Sequence, residues 1–156
     1  MVKSGEKSNK EAFIGLYERT LEERGRLAIP KKFREPLNEG AVLTRGLDGC
    51  LFLFPRLVWQ QISERLRETP LTSLDARAFT RLLTYEAFEV EFDSQGRILV
   101  PQLLQTFAGL QKEIIIAGSL DRIEIWAREK FLDYQKKIEK TSDEIAERLN
   151  KLEIRI

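Results

Sequence analysis

The chain states one nine-residue pattern twice. Glu22-Glu23-Arg24-Gly25-Arg26-Leu27-Ala28-Ile29-Pro30 returns as Asp93-Ser94-Gln95-Gly96-Arg97-Ile98-Leu99-Val100-Pro101, 71 positions later. The echo continues downstream in the same order. Val42-Leu43-Thr44 matches Ile114-Ile115-Ile116, Leu51-Phe52-Leu53-Phe54 matches Ile123-Glu124-Ile125-Trp126, and Trp59 matches Phe131, all three at an offset one residue longer. The chain therefore carries an internal duplication, with strand, turn and helix positions matched in the same order.

Each half carries the same local signals. Leu16–Leu21 and Arg26–Ile29 flank a short connection holding Gly25, which suits a hairpin whose glycine takes positive φ; Gly96 repeats the arrangement. Phe88, Val90 and Phe92 alternate with Glu89 and Glu91, the pattern of a half-buried antiparallel strand. Pro30 and Pro101 suit first helical positions, so a short helix is expected after each. Arg45-Gly46-Leu47-Asp48-Gly49 reads as the turn of a second hairpin. Val58, Trp59, Ile62 and Leu66 then fall at helical spacing, as do Phe131, Tyr134 and Ile138.

These signals divide the chain into an extension (1–12), a first unit (13–69), a linker (70–86), a second unit (87–138) and a tail (139–156). Thr72-Ser73 ahead of Leu74, Ala78, Leu82 and Leu83 makes the linker helical. Ile138, Ile145, Leu149, Leu152 and Ile156 form an apolar seam, open either to the chain's own domain or to a neighbouring protomer. Thr141 with Glu144 fits a capping box, which breaks the tail into two helices.

Composition narrows the function classes. The 156 residues contain 26 basic and 25 acidic side chains, no histidine and one cysteine, Cys50. Without histidine, the usual general base and the familiar zinc sets are missing, so neither a metal nor a cofactor is expected. An enzyme would have to use paired carboxylates such as Asp48 and Asp121, which read more simply as turn residues. Cys50 begins an apolar strand and reads as packing rather than nucleophile. No apolar run approaches the roughly 20 residues of a membrane helix, so a soluble, cytoplasmic protein with no membrane and no small-molecule substrate is expected.

Net charge near zero leaves only local clusters to bind a polyanion. Residues 24–34 hold Arg24, Arg26, Lys31, Lys32 and Arg34 and no acid, a set suited to phosphate. The plain alternative is surface pairing with Glu18, Glu22, Glu23 and Glu35. Residues 95–105 contain only Arg97. Asp93 is placed to accept hydrogen bonds from its own turn, whereas Glu22, one methylene longer, is free to pair with Arg24 or Arg26.

Three stretches together, Phe13–Tyr17 through Glu22–Arg34, Thr44–Leu51 and Asp93–Arg97, resemble the MraZ family of bacterial transcriptional regulators, with two tandem SpoVT/AbrB-like domains. The family's D-x-x-x-R motif is matched by Asp93 to Arg97, while Glu22 to Arg26 carries glutamate for aspartate. Ile14 and Arg19 stand where the family usually has arginine and histidine. The resemblance covers residues 13 to about 138. It implies an α+β fold in which two AbrB-like swapped-hairpin β units form one pseudo-symmetric β-barrel, to which the spacings above add flanking helices and a C-terminal helical tail. It further implies a nucleoid-associated, ring-shaped homo-oligomer, such as an octamer, that binds double-stranded DNA at promoter direct repeats upstream of the division and cell-wall gene cluster and represses it. In that reading Arg26 and Arg97 reach toward DNA, Glu22 and Asp93 are the motif acids, and Arg24, Lys31, Lys32 and Arg34 neutralise phosphates. The rival reading is an antitoxin-like protein-interaction module on the same fold.

Overall fold

The computed structural model describes residues 12–154. Eight strands and six helices follow one another as β1 (Phe13–Thr20), β2 (Arg26–Ala28), α1 (Lys31–Arg34), β3 (Ala41–Arg45), β4 (Leu51–Pro55), α2 (Arg56–Arg67), α3 (Leu74–Thr84), β5 (Phe88–Val90), β6 (Arg97–Leu99), α4 (Gln102–Ala108), β7 (Glu113–Leu120), β8 (Ile123–Ala127), α5 (Arg128–Lys140) and α6 (Ser142–Lys151). Each half therefore ends in two helices. The linker helix α3 has its counterpart in the tail helix α6. Of the extension, only Ala12 lies within the described residues.

The strands exchange partners between halves. One sheet runs β1-β7-β8-β4-β3-β5, all antiparallel, and β2 pairs with β6 in a separate ribbon. The connections around Gly25 and Gly96 do close as turns: Glu22 N–H donates to the Arg26 carbonyl at 2.8 Å and Asp93 N–H to that of Arg97 at 2.9 Å. The arms then part. The expected pairing of Leu16–Leu21 with Arg26–Ile29 does not form, because β1 takes β7 and β2 takes β6.

Burial explains the exchange. Antiparallel β2 and β6 set Leu27 opposite Ile98, and both side chains are fully buried against the sheet, worth about 1.5–3 kcal/mol each. The polar halves of these strands, Arg26 and Arg97, take the outer face by the two-residue alternation of a strand. The expected single closed barrel gives way to an open sheet whose edges are β1 and β5. The ribbon is a separate pair whose buried Leu27 and Ile98 join the core lining one face of the sheet.

Alternation assigns the sheet's two faces. Leu43, Leu51, Leu53, Ile114, Ile116, Ile123 and Ile125 point into the core shared with the ribbon. Phe52, Phe54, Ile115 and Trp126 point the other way, where α2 brings Val58, Trp59 and Ile62 and α5 brings Phe131 and Tyr134. Central β4 is apolar on both faces for this reason.

The helices depart from expectation in detail. Pro30 and Pro101 stand one residue before α1 and α4 rather than at their first positions. Ser73 caps α3 by accepting from Ala76 N–H at 3.1 Å. Only Leu83 of the expected Leu74-Ala78-Leu82-Leu83 stripe is buried, and there the Thr44 hydroxyl donates to the Leu83 carbonyl at 2.7 Å, tying the end of the helix to β3. The tail does break at Thr141, without the capping box; that hydroxyl turns back to the Lys137 carbonyl instead. Ile145 and Leu149 of the seam are half-buried and Leu152 is exposed. Ile156 lies outside the described residues.

Candidate nucleic-acid interface

The partner exchange places the two glycine turns at opposite ends of the β2·β6 ribbon, each held by the other half. Ile29 N–H donates to the Gly96 carbonyl at 3.1 Å, and Val100 N–H donates to the Gly25 carbonyl at 2.7 Å. Each turn is also covered by the other half's short helix. Arg34 of α1 packs on Gly96, and Gln105 of α4 packs on Gly25 while donating from Nε2 to the Val100 carbonyl at 2.8 Å. Arg34 and Gln105 are 71 positions apart, equivalent members of the repeat.

This crossing redistributes the charge seen in sequence. The basic helix α1, with Lys31 and Lys32 exposed, serves the second turn. The neutral α4, with Gln102 and Gln105, serves the first, where Arg24 and Arg26 supply the cations. Arg24 sits at the turn tip at φ 64°, exposed. Among the described residues, none of Arg24, Arg26, Lys31, Lys32 and Arg34 forms an ion pair. The alternative, surface pairing of these cations with Glu18, Glu22, Glu23 and Glu35, is absent among the described residues. Arg34 Nε is buried with no hydrogen-bond partner among the described residues, an unmet donor beside Gly96.

Arg97 behaves differently from Arg26. Its Nε donates to Asp93 Oδ2 at 2.9 Å and its Nη1 to Glu22 Oε1 at 2.7 Å, and its side chain is 21% exposed. The guanidinium expected to extend freely toward DNA is thus clasped by two carboxylates, one from each half. Glu22 reaches neither Arg24 nor Arg26. Its extra methylene carries it across the ribbon, and it makes no side-chain bond to its own turn. Asp93, by contrast, accepts at Oδ1 from the N–H groups of Gln95 and Arg97, both at 2.9 Å. The Arg97 N–H, then that of Gln95 and the guanidinium, hold the Asp93 carboxyl below the usual carboxylate range; Glu22, then Asp93, bind the Arg97 proton more firmly still.

The face also includes residues not singled out from sequence. Leu99 stands on the ribbon's outer side, half-exposed, and borders a cleft of about 290 Å³ with Arg24, Gln102 and Gln105. Projecting the basic run 71 positions forward points to Gln102 and Gln105, but not to which turn they cover.

The remaining chemistry-bearing side chains have local explanations. Cys50 is buried, its thiol donates to the Leu47 carbonyl at 3.3 Å, and burial raises its pKa far above the ordinary range, which keeps it protonated. Asp48 occupies a left-handed turn position and Asp121 lies 3.6 Å from Arg122. Among the described residues no cluster of His, Cys, Asp and Glu has the form of a metal site, and no helix is long and apolar enough to cross a membrane.

Comparison with known proteins converges on one family. The matching family model is that of the MraZ protein, a description that ends "antitoxin-like", and it matches twice, over residues 12–82 and 83–152. The second match runs past Ile138 and includes most of the tail. A protein of Caldanaerobacter subterraneus subsp. tengcongensis named "Transcriptional regulator MraZ" is 46% identical over 141 residues, 90% of this chain and 99% of the relative. Proteins of the same name from Natranaerobius thermophilus (43% over 137 residues, 88% and 96%) and Lactobacillus delbrueckii subsp. bulgaricus (45% over 142 residues, 91% and 99%) align as fully. Two tandem matches to one model, on the same duplicated halves whose turns exchange across the ribbon, make this chain a member of the MraZ family.

Proposed function

We propose that the protein is a sequence-specific DNA-binding transcriptional regulator that grips duplex DNA with the ribbon face. The observation that carries this is the gathering of Arg24, Arg26, Lys31, Lys32 and Arg34, none ion-paired among the described residues, around two turns of a chain whose net charge is only +1. Arg26 is the base-reading arginine of the first turn, and the α1 cations position the phosphates beside the second. Its targets are short direct repeats upstream of the division and cell-wall gene cluster, which it represses from the cytoplasm as a nucleoid-associated oligomer. Relatives carrying the name transcriptional regulator support the reading.

The test is binding to DNA from upstream of the protein's own gene, by footprinting and by anisotropy across a salt series. Arg26→Ala is expected to weaken specific binding roughly tenfold or more, as loss of a bidentate base contact does, while binding to a scrambled duplex changes far less. Equal losses on both duplexes would remove the base-reading role. No footprint from the unaltered protein would remove the function.

One protomer supplies few contacts, so tight binding needs several on spaced repeats. The outward face of α3 and its flanks exposes Leu71, Leu74, Leu82 and Tyr85, each 50% or more. Such an apolar row suits contact with a second copy of the chain. The double variant Leu74→Glu, Leu82→Glu is expected to sediment as a monomer and to lose the advantage of multi-repeat over single-repeat DNA. Unchanged sedimentation would place the protomer contact elsewhere.

A further inference from the structure

We infer that Glu22 is a counter-ion to Arg97 that sets how much of the second turn's arginine DNA can use, so the two halves of one protomer read DNA unequally. This rests on the DNA-binding reading above and deepens it.

The geometry distinguishes the two carboxylates that hold Arg97. Asp93 belongs to the turn itself, fastened by two backbone N–H groups as well as by Arg97 Nε. It is part of the turn's construction. Glu22 comes from the other half, is 43% exposed on its side chain, and has Arg97 Nη1 as its side-chain partner. It is the one of the two that can leave without dismantling a turn.

The guanidinium's own geometry says what leaving does. A bidentate grip on a guanine edge or a phosphate needs two neighbouring nitrogens of the fork. Asp93 occupies Nε and Glu22 occupies Nη1, leaving Nη2 as the nitrogen without a partner among the described residues. Displacing Glu22 restores the Nη1–Nη2 pair, with Asp93 still aiming it. Binding DNA at the second turn therefore includes expelling a carboxylate that also repels phosphate. The first turn carries no such cost, since Arg26 has no ion pair among the described residues.

The test is a double-mutant cycle on the full chain with two probes, a duplex spanning the DNA upstream of its own gene and a scrambled duplex of equal length. Glu22→Gln is expected to tighten binding to the first about fivefold and to steepen its salt dependence by roughly 0.9 in log–log slope, one added phosphate-strength contact. In an Arg97→Ala background the same change is expected to move affinity less than twofold. Glu23→Gln, an exposed neighbour with no ion pair among the described residues, measures the effect of simply removing a negative charge, and should act equally in both backgrounds. The Arg97 Nε–Hε NMR signal of the free protein, shifted on Glu22→Gln, reports the pair without DNA.

If Glu22→Gln acts equally with and without Arg97, or leaves affinity unchanged or weaker, the counter-ion role is overturned while the regulator reading stands. If the unaltered protein binds neither duplex, both fall together. An Arg97 signal indifferent to Glu22→Gln also overturns the inference, whatever the DNA data show.

Discussion

Gly25→Ala is expected to destabilise the protein by roughly 2–5 kcal/mol, the sum of a strained left-handed backbone and an overpacked contact. The residue sits at φ +79°, where an L side chain is disfavoured, and a Cβ there would stand 2.5 Å from the Val100 carbonyl oxygen and against Gln105. That oxygen belongs to backbone fixed by the crossing bond from Val100 N–H to the Gly25 carbonyl. Relief therefore means breaking the tie that holds the first turn to the second half. Urea unfolding with a two-state fit checks the size. A loss below about 1 kcal/mol would mean that the ribbon ends give way to the added methyl without breaking this tie.

Gly96→Ala is the informative comparison. Its φ is +77°, but the new methyl would meet the guanidinium of Arg34, the far end of a flexible side chain that can move aside. The backbone strain of about 1–2 kcal/mol remains and most of the clash does not. Displacing Arg34 should register in DNA affinity more than in stability, the reverse of Gly25→Ala.

The contrast also marks how much of the molecule a linear reading could reach. Gly25 and Gly96 announce themselves by position in a repeated pattern, and the paired turns, the helix after each proline and the alternating strands follow from local rules. Which strand accepts which is another matter. Within each half, Leu16–Leu21 and Arg26–Ile29 are good hairpin arms; the choice of β6 over β1 as partner for β2 is made by burial of Leu27 against Ile98, 71 positions away. No local period encodes that separation. The site inherits the same blindness. Lys31, Lys32 and Arg34 were legible as a basic run beside Gly25, yet the exchange delivers them to the turn of Gly96. Glu22 was legible as an odd member of its motif, yet its partner proved to be Arg97 across the ribbon. Leu83 rather than Leu74 faces inward, where the Thr44 hydroxyl ties the end of α3 to β3, a contact across 39 positions that no local spacing contains.

From the redistribution follows the largest effect expected on binding. Removing the α1 cations together, as Lys31→Ala, Lys32→Ala, Arg34→Ala, should lower the log–log salt slope by about 2.7 and weaken binding near physiological salt by about 100-fold, three phosphate contacts at roughly 0.9 each. The loss should fall alike on specific and scrambled duplexes, since phosphates carry no sequence. Its position should not be uniform. Because α1 caps the second turn, protection should vanish from the part of each repeat that lies against Asp93–Arg97, while protection opposite Arg24 and Arg26 persists. If the phosphates covered by α1 instead lay beside the Gly25 turn, its neighbour in sequence, the persisting protection would appear at the other end. Placing two of these charges on the opposite helix provides the converse. Gln102→Lys with Gln105→Arg adds cations to the cap of the first turn, and should raise the slope by up to about 1.8 and extend protection there. A triple variant that keeps its slope would show that the α1 cations do not touch phosphate, and the ribbon face would then have to bind DNA through its turns alone.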